Sequence, residues 1–114
     1  MPHNELRFEG EYLNGERHGK GKEYDYDGKL KFDGEYLNGK RNGKGKEYLN
    51  NQLSFEGEYS NEERNGKGKE YDLDGKLIFE GEYLNGEKWN GKENEYENGE
   101  LISIKEYLNG KKIE

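Results

Sequence analysis

Residues 30–48 read LKFDGEYLNGKRNGKGKEY, and nearly everything else in the chain is a variation on them. Leu30, Phe32, Gly34 and Tyr36 take every second position with Lys31, Asp33 and Glu35 between them, the alternation of a strand with one wet face. A second short run, residues 44–48, follows after LNGKRNG. Asn38-Gly39 and Asn42-Gly43 enter positive φ most easily, so that connection reads as a hairpin reversal. One unit is therefore strand, glycine-rich loop, strand.

The unit recurs in tight register. Phe8, Phe32, Phe55 and Phe79 are followed two residues later by Gly10, Gly34, Gly57 and Gly81, and two later again by Tyr12, Tyr36, Tyr59 and Tyr83. The glycines are 24, 23 and 24 residues apart. Gly19 and Gly21, Gly43 and Gly45, then Gly66 and Gly68 come next, and the units close on Tyr24, Tyr48 and Tyr71. Self-similarity at a fixed period denotes an array of supersecondary units. The repeats fall at about 6–29, 30–52, 53–76 and 77–100, with a degenerate copy over 101–110, all within one domain spanning 1–114.

Phe32-Asp33-Gly34-Glu35-Tyr36 followed by Asn38-Gly39-Lys40-Arg41-Asn42-Gly43-Lys44-Gly45 resembles the MORN (membrane occupation and recognition nexus) repeat. Its unit of about 23 residues is a β-hairpin opening on aromatic-x-Gly-x-aromatic. The resemblance covers about residues 6–110. It implies an all-β, single-layer solenoid of consecutive antiparallel hairpins. It also implies partner binding, self-association and attachment to membrane or cytoskeleton, while leaving the ligand unnamed.

Composition alone would suggest disorder: only 27% of the 114 residues are hydrophobic, 39% are charged, and mean hydropathy is -1.54. Placement argues for order, because the 10 Tyr and 4 Phe fall mostly at one strand parity and give each hairpin an aromatic strip for the next to cover. No cysteine is present, so neither a disulfide nor a thiolate metal site is available. No apolar run reaches the roughly 20 residues of a membrane span, and the opening MPHNELRFEG lacks the apolar core of a secretory signal. A cytoplasmic location is expected. The net charge of -7 disfavours a nucleic-acid grip and weakens attraction to anionic lipid.

Several local features read as structural. His18 takes a position held elsewhere by Asn42, Asn65 and Asn90, and is expected in a loop tolerating an unusual backbone angle; His3 stands alone in the polar lead. Asp25-Tyr26-Asp27-Gly28 and Asp72-Leu73-Asp74-Gly75 lack the rest of a calcium loop and read as Asx turns. Gly86-Glu87-Lys88-Trp89-Asn90-Gly91-Lys92-Glu93 has phosphate-loop spacing, but Glu93 replaces the hydroxyl residue and no helix follows, so that role is rejected. The loop SNEERNG, with Ser60 and Glu62 for Leu and Gly, is expected to differ locally.

Glu9, Glu11, Asp33, Glu35, Glu56, Glu58, Glu80 and Glu82 alternate against the aromatics, and Lys20, Lys22, Lys44, Lys46, Lys67 and Lys69 stand on the second strands. They read as a solubilising face of charge ladders. Strict alternation puts Tyr24, Tyr48 and Tyr71 with the lysines unless a bulge reverses the parity, and the sequence leaves this open. Ile78, Ile102 and Ile104 point away from the aromatic face by parity.

Nine strands at about 4.8 Å spacing make a twisted ribbon roughly 40 Å long. Its aromatic side is expected to form a curved, partly open groove lined by Phe8, Tyr12, Leu30, Phe32, Tyr36, Phe55, Tyr59, Phe79 and Tyr83. Trp89, the only tryptophan, sits in an expected loop as a local anchor or a partner contact. The leading expectation is a non-enzymatic scaffold that receives a peptide, a helix or a second protomer along that groove. Peripheral binding of phosphoinositide through the lysine-bearing loops is the alternative, and a repeat region serving a larger protein is a third. No cofactor, metal, catalytic residue or nucleic acid is expected: the carboxylates repeat with the strands and do not converge on one site.

Overall fold

The computed structural model describes residues 7–113 and shows ten strands following one another in chain order. They are β1 (Arg7–Leu13), β2 (Glu16–Tyr24), β3 (Leu30–Leu37), β4 (Lys40–Leu49), β5 (Gln52–Ser60), β6 (Glu63–Tyr71), β7 (Leu77–Leu84), β8 (Glu87–Glu97), β9 (Glu100–Leu108) and β10 (Lys111–Ile113). Every strand pairs antiparallel with its neighbours in the chain, giving one open sheet with strand order equal to sequence order and no helix among the described residues. The array measures 47 × 32 × 17 Å. Leu6 and His3 lie outside the described residues.

The hairpin tips are shorter than the sequence suggests. Asn38 and Gly39, with φ of 51° and 84°, reverse the chain alone, and β4 starts at Lys40. Positive φ at both central residues gives a turn whose twist matches the strands it joins. Asn42-Gly43 therefore lies within a strand, where Gly43 has φ of 103° and residues 42–44 face Glu35 as a bulge. The same shift corrects two other expectations. His18 is in β2, with the left-handed angle on Gly19 (75°), and Trp89 is in β8. SNEERNG keeps the common turn: Asn61 and Glu62 have φ of 53° and 81°, and Glu62 N–H donates to the Arg41 carbonyl as Gly39 N–H does to that of Arg17. The two Asx turns are present, with Asp25 Oδ1 accepting from Asp27 and Lys29 N–H and Asp72 Oδ1 from Asp74 and Lys76 N–H, all at 2.9 Å.

Cross-strand partners share a face, so the pairs Phe32↔Glu47, Gly34↔Gly45 and Tyr36↔Arg41 define one side and Asp33↔Lys46 the other. On the first side Phe32, Phe55 and Phe79 are 0% exposed and Tyr36, Tyr59 and Tyr83 only 3–5%. Each phenylalanine meets its own tyrosine and that of the next repeat edge-to-face. Phe32 lies 5.7 Å from Tyr36 and 5.2 Å from Tyr59, and Phe55 lies 5.7 Å from Tyr59 and 5.2 Å from Tyr83. Fully burying each phenylalanine contributes roughly 1.5–3 kcal/mol, and such ring pairs about 0.5–1.5 kcal/mol more. The face is thus a packed core, and the open aromatic groove expected from the sequence is closed by the rings' own neighbours.

The glycines make this possible. The Phe55 ring covers Gly57 and Gly68, and a Cβ added at Gly68 would lie 2.7 Å from that ring and 2.9 Å from Tyr83. Only a residue without a side chain lets a phenyl ring lie against the backbone there.

Candidate functional site

What seals the aromatic face is a set of side chains that the sequence reading did not single out. The guanidiniums of Arg17, Arg41 and Arg64 lie 4.3, 4.1 and 4.0 Å from the ring centroids of Phe8, Phe32 and Phe55. Arg41 forms a bidentate pair with Glu23 of the preceding repeat (3.1 and 3.1 Å), and Arg64 with Glu47 (3.1 and 3.0 Å). Tyr36 donates its hydroxyl to Glu23 at 2.5 Å, and Tyr59 and Tyr83 donate theirs to Glu47 and Glu70. Each interior carboxylate thereby ties one repeat to the next through a charge-assisted network.

The network shifts its members' protonation in a consistent direction. Burial would raise the carboxyl pKa of Glu23 and Glu47, but arginine and tyrosine hydrogen bonds and the nearby guanidinium charges outweigh it and hold both below the usual carboxylate range. Burial and the facing carboxylates push the hydroxyls of Tyr36, Tyr59 and Tyr83 well above the usual phenol range. Glu23 and Glu47 stay charged and the tyrosines stay neutral across the neutral range. The arrangement holds the repeats together.

The expected groove residues thus separate into different environments. Phe32, Tyr36, Phe55, Tyr59, Phe79 and Tyr83 come together as the core, with Phe8 half-buried at its start. Tyr12 is 59% exposed at that end. Leu30 leaves the stripe, because a bulge at Lys31 carries it opposite Tyr24. Trp89 lies half-buried in β8, its ring against Gly110 and its carbonyl accepting from Gly110 N–H at 2.8 Å. Tyr24 and Tyr71 are on the lysine side, where their hydroxyls donate to Glu9 (3.2 Å) and Glu56 (2.7 Å). Partial burial and that Glu56 bond push Tyr71 up to about 12.

The concave surface lies on this second side. A trough of about 800 Å³ runs across the strands from β2 to β7. Its floor is the backbone of Gly34, Gly45, Gly57, Gly68 and Gly81. Along one wall the cross-strand partners read Asp33, Lys46, Glu56, Lys69, Glu80, and the other wall is lined by Lys20, Glu35, Lys44, Glu58, Lys67 and Glu82, with bulges between Glu35 and Lys44 and between Glu58 and Lys67. Glu35 and Glu58 are fixed by accepting the N–H of Lys44 and Lys67 at 2.8 Å, and Lys69 lies 3.8 Å from Glu80. The face read from sequence as a solvated charge ladder is therefore the wall of a depression. Among the described residues there is no group of three or more His, Asp or Glu suited to a metal ion.

Three consecutive stretches, residues 8–29, 32–54 and 55–76, match the MORN repeat and together take in more than half of the chain. The chain belongs to the MORN repeat family. No curated protein matches it. MORN repeats are interaction and scaffold modules for proteins and membranes, and the family is generally non-enzymatic. The fourth and fifth hairpins fall outside the matched stretches. There the pairs Gly81↔Gly91 and Phe79↔Glu93 persist, but Asn94 and Glu95 separate Glu93 from Tyr96, and Ser103 and Lys105 take the Phe and Gly positions of β9, so the repeat pattern fades although the strands continue.

The signal for the missed residues was present in the sequence. Three of the four arginines, Arg17, Arg41 and Arg64, occupy one repeat position, while lysine fills the charged face. A planar guanidinium can stack on a ring and pair bidentately with a carboxylate at once, which an ammonium cannot.

Proposed function

We propose that this MORN array is a non-enzymatic docking module that holds a segment of a partner protein along the glycine-floored trough. The single observation that carries the reading is the trough itself, about 800 Å³ on the face opposite the sealed rings. Glycine floors let another chain approach closely, and the ionic walls give it orientation more than raw affinity. The trough replaces the aromatic side as the docking face, because phenylalanines that are 0% exposed offer nothing to a partner. Membrane attachment through the trough is less favoured, because its walls alternate in sign and give a lipid surface no continuous cationic strip there.

Photocrosslinking separates the surfaces. A photoreactive residue at position 46, in the trough, is expected to capture the partner, and one at position 26, on an exposed turn, is not. Capture from position 26 with none from position 46 would contradict the reading.

A further inference from the structure

The two walls of the trough share a spacing that selects among shapes of partner. On β3 both wall residues are acidic, Asp33 and Glu35; on β4 both are Lys44 and Lys46; on β5 both are Glu56 and Glu58; on β6 both are Lys67 and Lys69; on β7 both are Glu80 and Glu82. The trough is thus crossed by five bands of charge, each reversing the sign of the last. Neighbouring strands are about 4.8 Å apart, so the sign reverses at about that step and repeats after about 9.6 Å.

A chain lying along the trough must present bands at the same step. On a helix, side chains facing one way recur every three or four residues, about 5.25 Å on average and 10.5 Å per heptad. On an extended strand the same-face step is about 6.6–6.8 Å. Over four steps the bands advance about 19 Å, a helix about 21 Å and a strand about 27 Å. The helix stays within half a band, whereas the strand slips by more than one and a half and brings like charges together.

We infer that the trough's occupant is an α-helix of a partner protein banded in charge, with acidic and basic residues alternating every three to four positions. This rests on the trough reading above. The five bands correspond to about 13 helical residues, a length marginal as an isolated helix in water. The wall spacing is thus suited to a segment that becomes helical when it docks. Because both walls carry the same sign at each strand, the partner needs like charges on both its flanks at each level, with small or apolar residues on the stripe facing the glycines. Glutamate placed N-terminal to lysine at i, i+4 supplies that banding and supports the helix itself.

Three synthetic peptides of equal length and equal charged-residue content test this against the full chain by fluorescence anisotropy. The first is banded, the second places all its acids in one half and all its bases in the other, and the third is banded but carries a central proline. The banded peptide is expected to bind about tenfold or more tighter than either of the others, with affinity falling as salt rises and helical circular dichroism appearing on binding. On the protein side, Asp33→Lys together with Lys46→Asp reverses one cross-strand pair at unchanged net charge. The double variant should weaken the banded peptide, and a peptide with the matching bands exchanged should recover it. Equal binding by the half-and-half or proline peptide, or no binding by the banded one, overturns the inference. If position 46 still crosslinks to the native partner in that case, the trough reading stands without the helix; if neither occurs, both fall.

Discussion

The third hairpin and the last strands meet the same packing problem with opposite residues. In β5 and β6 a phenyl ring, Phe55, lies against a bare glycine pair, Gly57↔Gly68, and Arg64 closes over it. In β9 the ring position is Ser103, the glycine position is Lys105, and Lys105 pairs with Glu93 of β8. Where the ring is lost, the need for glycine goes with it, and two long charged side chains stand at opposed positions where the interior repeats have close backbone contact. The cation position changes one repeat earlier: Arg17, Arg41 and Arg64 become Lys88, which still lies 5.1 Å from the Phe79 ring centroid, and then Lys112, which meets Glu93 at 2.7 Å. Glycine in the interior repeats is thus a consequence of the ring lying across it, and not simply a turn former.

The largest effect should come from forcing a side chain under the ring. Gly68→Val is expected to destabilise the chain by about 2–3 kcal/mol, since the added atoms overlap Phe55 and Tyr83. Lys105→Val, at the ring-free equivalent, should change urea unfolding by less than about 1 kcal/mol. Equal losses at the two positions would break the comparison.

Next in size is the inter-repeat carboxylate. Glu47→Gln weakens the Arg64 pair and the Tyr59 bond and should cost about 1–2 kcal/mol at neutral pH. The carboxyl pKa of Glu47 is lower folded than unfolded, so its contribution is present above about pH 4.3 and fades as pH falls through the folded value. The gap between wild type and Glu47→Gln should therefore narrow in acid. Tyr59 has the opposite sign: its raised pKa contributes stability below about pH 10 that is lost as pH climbs further, and Tyr59→Phe should flatten that alkaline decline. Unfolding curves collected across pH check both limbs.

A smaller effect sharpens the contrast at the C-terminal end. The Trp89 ring rests on Gly110, so its fluorescence reports the docking of β9 and β10. Repeat arrays lose terminal units more easily than interior ones. The tryptophan signal should move at slightly lower urea than the far-ultraviolet signal of the whole sheet, and coincident transitions would show the last hairpin to be as firmly held as the rest.

Most of the fold is legible in the repeat of Phe, Gly and Tyr at alternate positions, which announces strand, hairpin and face together. The Asx turns follow equally from Asp25 and Asp72. The strand lengths are less legible, because Asn-Gly occurs twice per unit and only the first copy, Asn38-Gly39, turns the chain; the second becomes a bulge whose Lys44 N–H is met by Glu35. The burial of the aromatic side is hard to read from the sequence for a related reason. A single strand shows which residues share a face but not what neighbouring strands lay over them, and Arg41 and Glu47 reach the rings only through cross-strand register. Concavity is likewise a property of the assembled sheet, so the charged side could not be recognised as a trough from its alternation.

The central claim is that the aromatic side is a sealed core and the charged side the open one. Hydroxyl-radical footprinting with mass spectrometry on the folded chain tests it residue by residue. Tyr12 and Tyr26, 59% and 57% exposed, should label readily, while Phe32, Phe55, Phe79, Tyr36, Tyr59 and Tyr83 remain protected until the chain unfolds. Labelling of those six in the folded state at rates like those of Tyr12 and Tyr26 would contradict the account.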